Sequence, residues 1–179
     1  GAQCISPDGN FLVFTGCHRE GGYGSCDLYI SERNGNMWGE PINMGKGINT
    51  THWESQPSLA PDSKTLFFAS NRPGGKGISD IWVSVRDDDG NWSKAFNLGE
   101  PINTPWQEMS PFIHPDGKTL YFSSDYHIGM GGMDLFLSKL NEENGKWTTP
   151  KNLGYPINTH EDEITLLVNA NGDLAYISS

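Results

Sequence analysis

The stretch that decides the fold runs from Pro57 to Glu108, PSLAPDSKTLFFASNRPGGKGISDIWVSVRDDDGNWSKAFNLGEPINTPWQE. It is one copy of a unit that occurs three times and begins a fourth. Pro7, Pro61 and Pro115 stand 54 residues apart at each step, and Asp27, Asp80 and Asp134 stand 53 and 54 apart. Trp38, Trp92 and Trp147 recur at 54 and 55, as do Ile48, Ile102 and Ile157. A period of this size marks an array of like supersecondary units, each burying its apolar surface against the next.

Within one unit the residues predict four short strands. Pro57–Ala60 and Thr65–Ser70 flank the turn Pro61-Asp62-Ser63-Lys64, and Asp80–Val85 and Trp92–Leu98 flank Asp88-Asp89-Gly90-Asn91. Runs such as Leu66-Phe67-Phe68-Ala69 and Ile81-Trp82-Val83 are aromatic or β-branched and bounded by Gly, Asp and Asn, as strands require. The equivalent turns read Pro7-Asp8-Gly9, Pro115-Asp116-Gly117, Asn34-Gly35 and Asn144-Gly145, and Gly and Asn accept positive φ at low cost. No useful amphipathic helical window appears. Four strands per unit repeated around an axis describe a β-propeller blade.

Working outward, blade one covers about residues 2–54, blade two 55–108 and blade three 109–163, with 164–179 supplying the first hairpin of a fourth. The expected fold is therefore all-β, a partial propeller with three complete four-stranded blades. Closed propellers have roughly 4–8 blades, and an open stack leaves strand edges exposed. Two arrangements answer this: a piece of a longer propeller, which the residues favour, or a ring shared between copies. Gly1 reads as a cut end, which leaves any targeting leader outside the sequence.

The chain holds 12 basic and 22 acidic residues, net −10, so nothing would neutralise the phosphates of a nucleic acid. No run of apolar residues is long enough for a membrane helix. The three cysteines, Cys4, Cys17 and Cys26, all fall in the first repeat. Cys17 aligns with Asn71 and Cys26 with Ser79, at the facing ends of antiparallel neighbours. Either these two form a disulfide, which points to an oxidising compartment, or all three remain thiols. Cys4 stays unpaired in both cases.

Strand order sorts the connections onto two faces. Tight turns emerge on one side; the longer Gly-rich loops and the blade-to-blade linkers emerge on the other, where binding residues concentrate. Residues repeated in every unit serve the blade. Asp27, Asp80 and Asp134 are expected to fix the Gly-rich loops through backbone hydrogen bonds. Glu54, Glu108 and Glu163 read as structural ties, the alternative being a carboxylate ring that binds calcium or a small ligand or glycan at the channel mouth. Trp38, Trp92 and Trp147 are expected to cover the blade edge. The residues that break the repeat are His18, Arg19, His52, Trp53, Trp106, Tyr126, His127 and His160, all on the loop-rich face. Aromatic side chains with Arg and His are the usual anchors of a protein partner; packing between neighbouring loops is the other use they could have.

Catalytic and cofactor signals are missing from the sequence. There is no Gly-x-Ser-x-Gly elbow, and Gly22-Tyr23-Gly24-Ser25-Cys26 lies in a hairpin loop. The His residues lack zinc spacing, and Asp87-Asp88-Asp89-Gly90 lacks the remaining ligands of a calcium loop. No cofactor and no resident metal are expected.

The segment Pro61-Asp62-Ser63-Lys64-Thr65-Leu66-Phe67-Phe68-Ala69-Ser70-Asn71-Arg72 resembles the TolB-type, WD-repeat-like propeller motif. Ser6-Pro7-Asp8-Gly9 and His114-Pro115-Asp116-Gly117 match its turn more fully than the copy with Ser63. The longer signature, Gly-Gly-x-Gly-x-x-Asp, Gly-x-Trp, then Asn-Leu-Gly-x-Pro-Ile-Asn-Thr and a Glu, resembles the subgroup found in Gram-negative envelope proteins. There the propeller commonly sits between tetratricopeptide repeats and an OmpA-like peptidoglycan-binding domain. The resemblance implies an exported, periplasmic or envelope-associated protein that reaches peptidoglycan only through a flanking domain; the repeat and its acidic, aromatic-studded loops point to a scaffold that binds a protein partner through the loop-rich face. Related propellers also accompany peptidases, so an accessory role beside a hydrolase is the alternative.

Overall fold

The computed structural model describes residues 2–179. Each repeat folds as its own antiparallel sheet. The first contains β1 (Gln3–Ile5), β2 (Phe11–Cys17) and β3 (Cys26–Asn34), with β4 (Met37–Trp38) and β5 (Ile42–Asn43) both paired to β3. The second is β6 (Glu54–Leu59), β7 (Thr65–Ser70), β8 (Asp80–Val85) and β9 (Phe96–Asn97). The third is β10 (Glu108–Ile113), β11 (Thr119–Ser124) and β12 (Asp134–Asn141), with β13 (Lys146–Trp147) and β14 (Lys151–Asn152) along β12. A final hairpin joins β15 (Thr165–Val168) to β16 (Ala175–Ser178). No helix occurs among the described residues, and so none that could cross a membrane.

The tight turns are built from side chains. The Asp62 carboxylate accepts the N–H groups of Lys64 and Thr65 at 2.8 Å and the Thr65 hydroxyl at 2.7 Å. Asp116 repeats this at Lys118 and Thr119. Gly9 and Gly117 take φ of 73° and 71° in their turns, whereas Ser63 holds 56° in the second copy, where a Cβ makes that conformation less favourable.

Two strand limits differ from the sequence expectation. The innermost strand of the second sheet starts at Glu54, not Pro57, because a bulge at Gln56 (φ 55°) lets pairing with β7 continue past it; Ser110 (φ 50°) does the same in the third sheet. The outer strand is broken instead of running through Trp92–Leu98. Ser93 Oγ accepts the Val85 N–H at 3.0 Å and Ser84 Oγ donates to the Ser93 carbonyl at 2.7 Å, so hydroxyls replace ladder bonds. Ser138 and Thr148 form the same substitute in the third sheet.

The core lies between sheets. Leu66, Phe68 and Trp82 of the second sheet pack with Phe11, Val13 and Leu28 of the first, while the alternate residues Phe67, Ile81 and Val83 pack with Leu120, Phe122 and Phe136 of the third. Both faces of β7 and β8 are therefore buried, each large side chain contributing about 1.5–3 kcal/mol. Ile48 and Ile102, from the linkers that leave the first and second sheets, are fully buried in these two cores.

Asparagine locks each linker to the sheet it has just left. Asn49 Oδ1 accepts the Leu28 N–H at 2.8 Å while its Nδ2 donates to the Leu28 carbonyl at 2.8 Å. Asn103 does this to Ile81 and Asn158 to Leu135, all at 2.9 Å. Each amide also donates to a second asparagine, Asn43, Asn97 or Asn152. A buried carboxamide thus supplies one donor and one acceptor to the outer edge of β3, β8 or β12, as another strand would. Replacing Asn103 by Ala leaves the Ile81 N–H unpaired and its carbonyl with the Leu98 N–H alone. The expected loss is about 2–4 kcal/mol in urea unfolding, with no change in strand content by circular dichroism.

Candidate interaction face

The linkers and the Gly-rich loops meet at one end of the sheets. Asp27 accepts the N–H groups of Tyr23 and Gly24 at 2.6 and 3.1 Å. Asp80 takes those of Lys76 and Gly77, and Asp134 those of Met130 and Gly131. The glycines of the Gly-x-Gly-x-x-Asp pattern are required by close approach. A Cβ on Gly22, Gly75 or Gly129 would press on these carboxylates, and one on Gly24, Gly77 or Gly131 on the linker carbonyls of His52, Trp106 or Glu161.

The three glutamates sit beneath the linkers, 0–2% exposed. Each is wrapped by the threonine four residues earlier: Thr50 N–H and hydroxyl reach Glu54 at 2.7 Å, Thr104 encloses Glu108, and Thr159 encloses Glu163. Glu54 and Glu108 also accept the hydroxyls of Ser70 and Ser124 on the adjacent strands, at 2.9 and 3.0 Å. No metal-binding group of His, Cys, Asp and Glu occurs among the described residues. Burial pushes the Glu108 carboxyl up to about 7, against the hydrogen bonds from Thr104 and Ser124.

Three side chains fill one recurring slot over the aromatic pair of each sheet. Arg72 lies 5.0 Å from the Phe68 ring and 4.9 Å from that of Trp82, pairs with Glu54 at 3.3 Å, and donates to the Ile48 carbonyl. His127 lies against Phe122 and Phe136, its Nε2 3.2 Å from the Ile102 carbonyl. Arg19 covers Phe14 and Tyr29 but stays exposed. Arg72 aligns with Tyr126 in sequence, yet its place is taken by the next residue, a substitution that spacing alone does not reveal.

The remaining candidate residues divide by exposure. Trp106 and Tyr126 are 52% and 53% exposed, and Tyr126 meets the edge of His127. Trp53 is half-buried, its N–H given to Asn71. His18, His52 and His160 are exposed on separate loops, His160 beside Glu161. The structure adds Ile78, Ile128 and Met130 as exposed apolar residues of the same face, Ile128 at 95%; only their departure from polar loop composition marks them in the sequence. Trp92 packs edge-on against Phe11 of the first sheet and Trp147 against Phe67 of the second, while Trp38 is 41% exposed.

Cys17 and Cys26, opposed in the β2–β3 register, form a disulfide. It stands where Asn71 and Asp125 accept the N–H groups of Trp53 and Gln107 in the other repeats. Cys4 is free, and burial pushes its thiol up to about 12.

No family model matches the chain. No curated protein sequence matches it either. Solved structures do. The crystal structure of TolB from Acinetobacter baumannii aligns over 99% of this chain and 37% of its own, with TM-score 0.67 and 14% identity. The putative TolB from Agrobacterium tumefaciens aligns over 97% of this chain and 56% of its own, with TM-score 0.59 and 19% identity. The fold is a TolB-like β-propeller. A puromycin-hydrolyzing peptidase from Mycobacterium tuberculosis matches over 96% of this chain and 27% of its own, with TM-score 0.54 and 16% identity. The chain thus spans about a third to a half of the two TolB chains.

Two outcomes follow from the blade ties. Replacing Arg72 by Met strands the buried Glu54 charge, and urea unfolding is expected to lose about 3–5 kcal/mol. Cys17→Ser with Cys26→Ser opens a loop with a sequence separation of 9; the expected cost is about 2.5 kcal/mol by chain entropy, with the propeller fold retained.

Proposed function

We propose that the chain is a non-catalytic, protein-binding propeller segment of an exported cell-envelope protein. The observation that carries this reading is the exposure of Trp106 and Tyr126, with Ile78, Ile128 and Met130, on loops whose backbones are pinned by Asp80, Asp134 and Glu108. Large side chains held on a rigid frame bind with little ordering cost, and aromatic anchors dominate protein interfaces. His18, His52, Trp53 and His160 border this surface; Arg19 and His127 support it from below. The Cys17–Cys26 disulfide and the likeness to TolB structures support export to an oxidising compartment, the periplasm. Peptidoglycan contact would belong to a flanking domain. The second reading, an accessory propeller beside a hydrolase, draws on the likeness to the peptidase.

The test places a photo-crosslinking amino acid at Ile128 and exposes the chain to cell-envelope extract. A discrete crosslinked protein is expected, lost on combined replacement of Trp53, Trp106 and Tyr126 by Ala, with the thermal midpoint nearly unchanged. Equal crosslinking by that triple variant would reject this face as the docking surface.

A further inference from the structure

The two joints between successive blades follow one plan with one difference. In the first, Arg72 covers Phe68 and Trp82, donates to the Ile48 carbonyl and pairs with the buried Glu54. In the second, His127 covers Phe122 and Phe136 and bonds the Ile102 carbonyl. Ile102 and Glu108 are the repeat counterparts of Ile48 and Glu54, each 54 residues on. Glu108 is fully buried, and among the described residues no cationic side chain pairs with it. It is joined to the neighbourhood of His127 through Ser124, whose Oγ donates to Glu108 at 3.0 Å and accepts the Tyr126 N–H at 3.2 Å.

A buried carboxylate without a cation is expensive, and the protein's alternative is to neutralise it. We infer that the second joint is closed by a neutral pair, protonated Glu108 with uncharged His127, in place of the ion pair that closes the first; the Thr104 hydroxyl, within hydrogen-bond distance of Glu108, turns to accept the carboxyl proton. Opening the joint to water then moves one proton: Glu108 releases it and His127 takes one up, so carboxyl plus imidazole becomes carboxylate plus imidazolium with no net exchange. The charge of Asp80 from the preceding blade pushes the Glu108 carboxyl further up. Around His127, Tyr126 lies against the imidazole, and the two carboxylates on its own blade are engaged elsewhere: Asp125 is tied to Gln107 and Asp134 to the Met130 and Gly131 N–H groups. Burial holds the His127 imidazole below its ordinary value.

The signs oppose each other. A carboxyl raised in the closed joint favours closure fully below its ordinary value near 4.5 and loses that contribution as pH rises to about 7. An imidazole lowered in the closed joint contributes fully above its ordinary value of 6.5 and loses that contribution as pH falls below it. Between about pH 5.5 and 6.5 the two slopes cancel.

Hydrogen exchange reads the joint directly. The amides of Ser110 and Ile113 cross it to Gln56 Oε1 and Ser58 Oγ at 2.8 and 3.0 Å, and the Gln56 amide, 3.3 Å from Thr15 Oγ1, reports on the first joint as a control. In the intact protein the protection factors of Ser110 and Ile113 are expected to change less than about threefold across that window. In Glu108→Gln, whose amide can face hydroxyls that turn to accept, protection should fall about tenfold per unit as pH drops below 6.5. In His127→Phe, which keeps the ring stack, it should fall about tenfold per unit as pH rises from 5 to 7. The Gln56 amide should show neither slope. Slopes in both variants parallel to the intact protein would overturn the pair. Should either variant fail to fold, ring nitrogen shifts of His127 in the intact chain at pH 6 decide: a neutral imidazole supports the inference, an imidazolium overturns it.

Discussion

The structure depends on a side-chain amide acting as backbone. Asn49, Asn103 and Asn158 each present one acceptor and one donor to a single residue of the third strand of their own blade. The linker that carries the amide also carries the isoleucine of the inter-blade core and the threonine that wraps the buried glutamate. One bidentate contact therefore positions the exit of one blade, the apolar contact with the next, and the entry of its first strand. A buried amide left half-paired would be costly, and that cost fixes the register of the linker.

From this follows the character of the loop-rich face. Long loops are ordinarily the least ordered parts of a sheet protein. Here each is held by a carboxylate at its base, by glycines that let the linker carbonyl approach, and in the first blade by a disulfide. Trp106 and Tyr126 thus project from pinned backbone, which suits docking more than induced closure. The repeated carboxylates are taken up by loop amides and hydroxyls, and the exposed aromatic and apolar side chains stand among charged ones such as Arg19, Lys76 and Glu161.

Much of the architecture was legible from spacing alone. The 54-residue recurrence of Pro7, Pro61 and Pro115, with turn chemistry between apolar runs, specifies four strands per unit. The signature Asn-Leu-Gly-x-Pro-Ile-Asn-Thr was visible in the sequence, but which asparagine pairs with backbone depends on how the linker folds back, and spacing does not encode that. The broken outer strand was hidden because Ser93 and Thr148 replace ladder bonds through hydroxyls, which leaves the apolar pattern intact. The slot shared by Arg19, Arg72 and His127 was hidden for a different reason: a one-residue offset and a change of residue type disguise equal geometry. Residues that break a repeat are thus not all free for a partner, and exposure separates Trp106 and Tyr126 from His127.

The account's central claim is that linker asparagines complete the blades as strands do. Native-state hydrogen exchange at the amides of Leu28, Ile81 and Leu135 tests it most directly. The account predicts protection at these three equal to that of ladder amides within β7 and β11, released only by global unfolding. Exchange at the rate of exposed loop amides would contradict it.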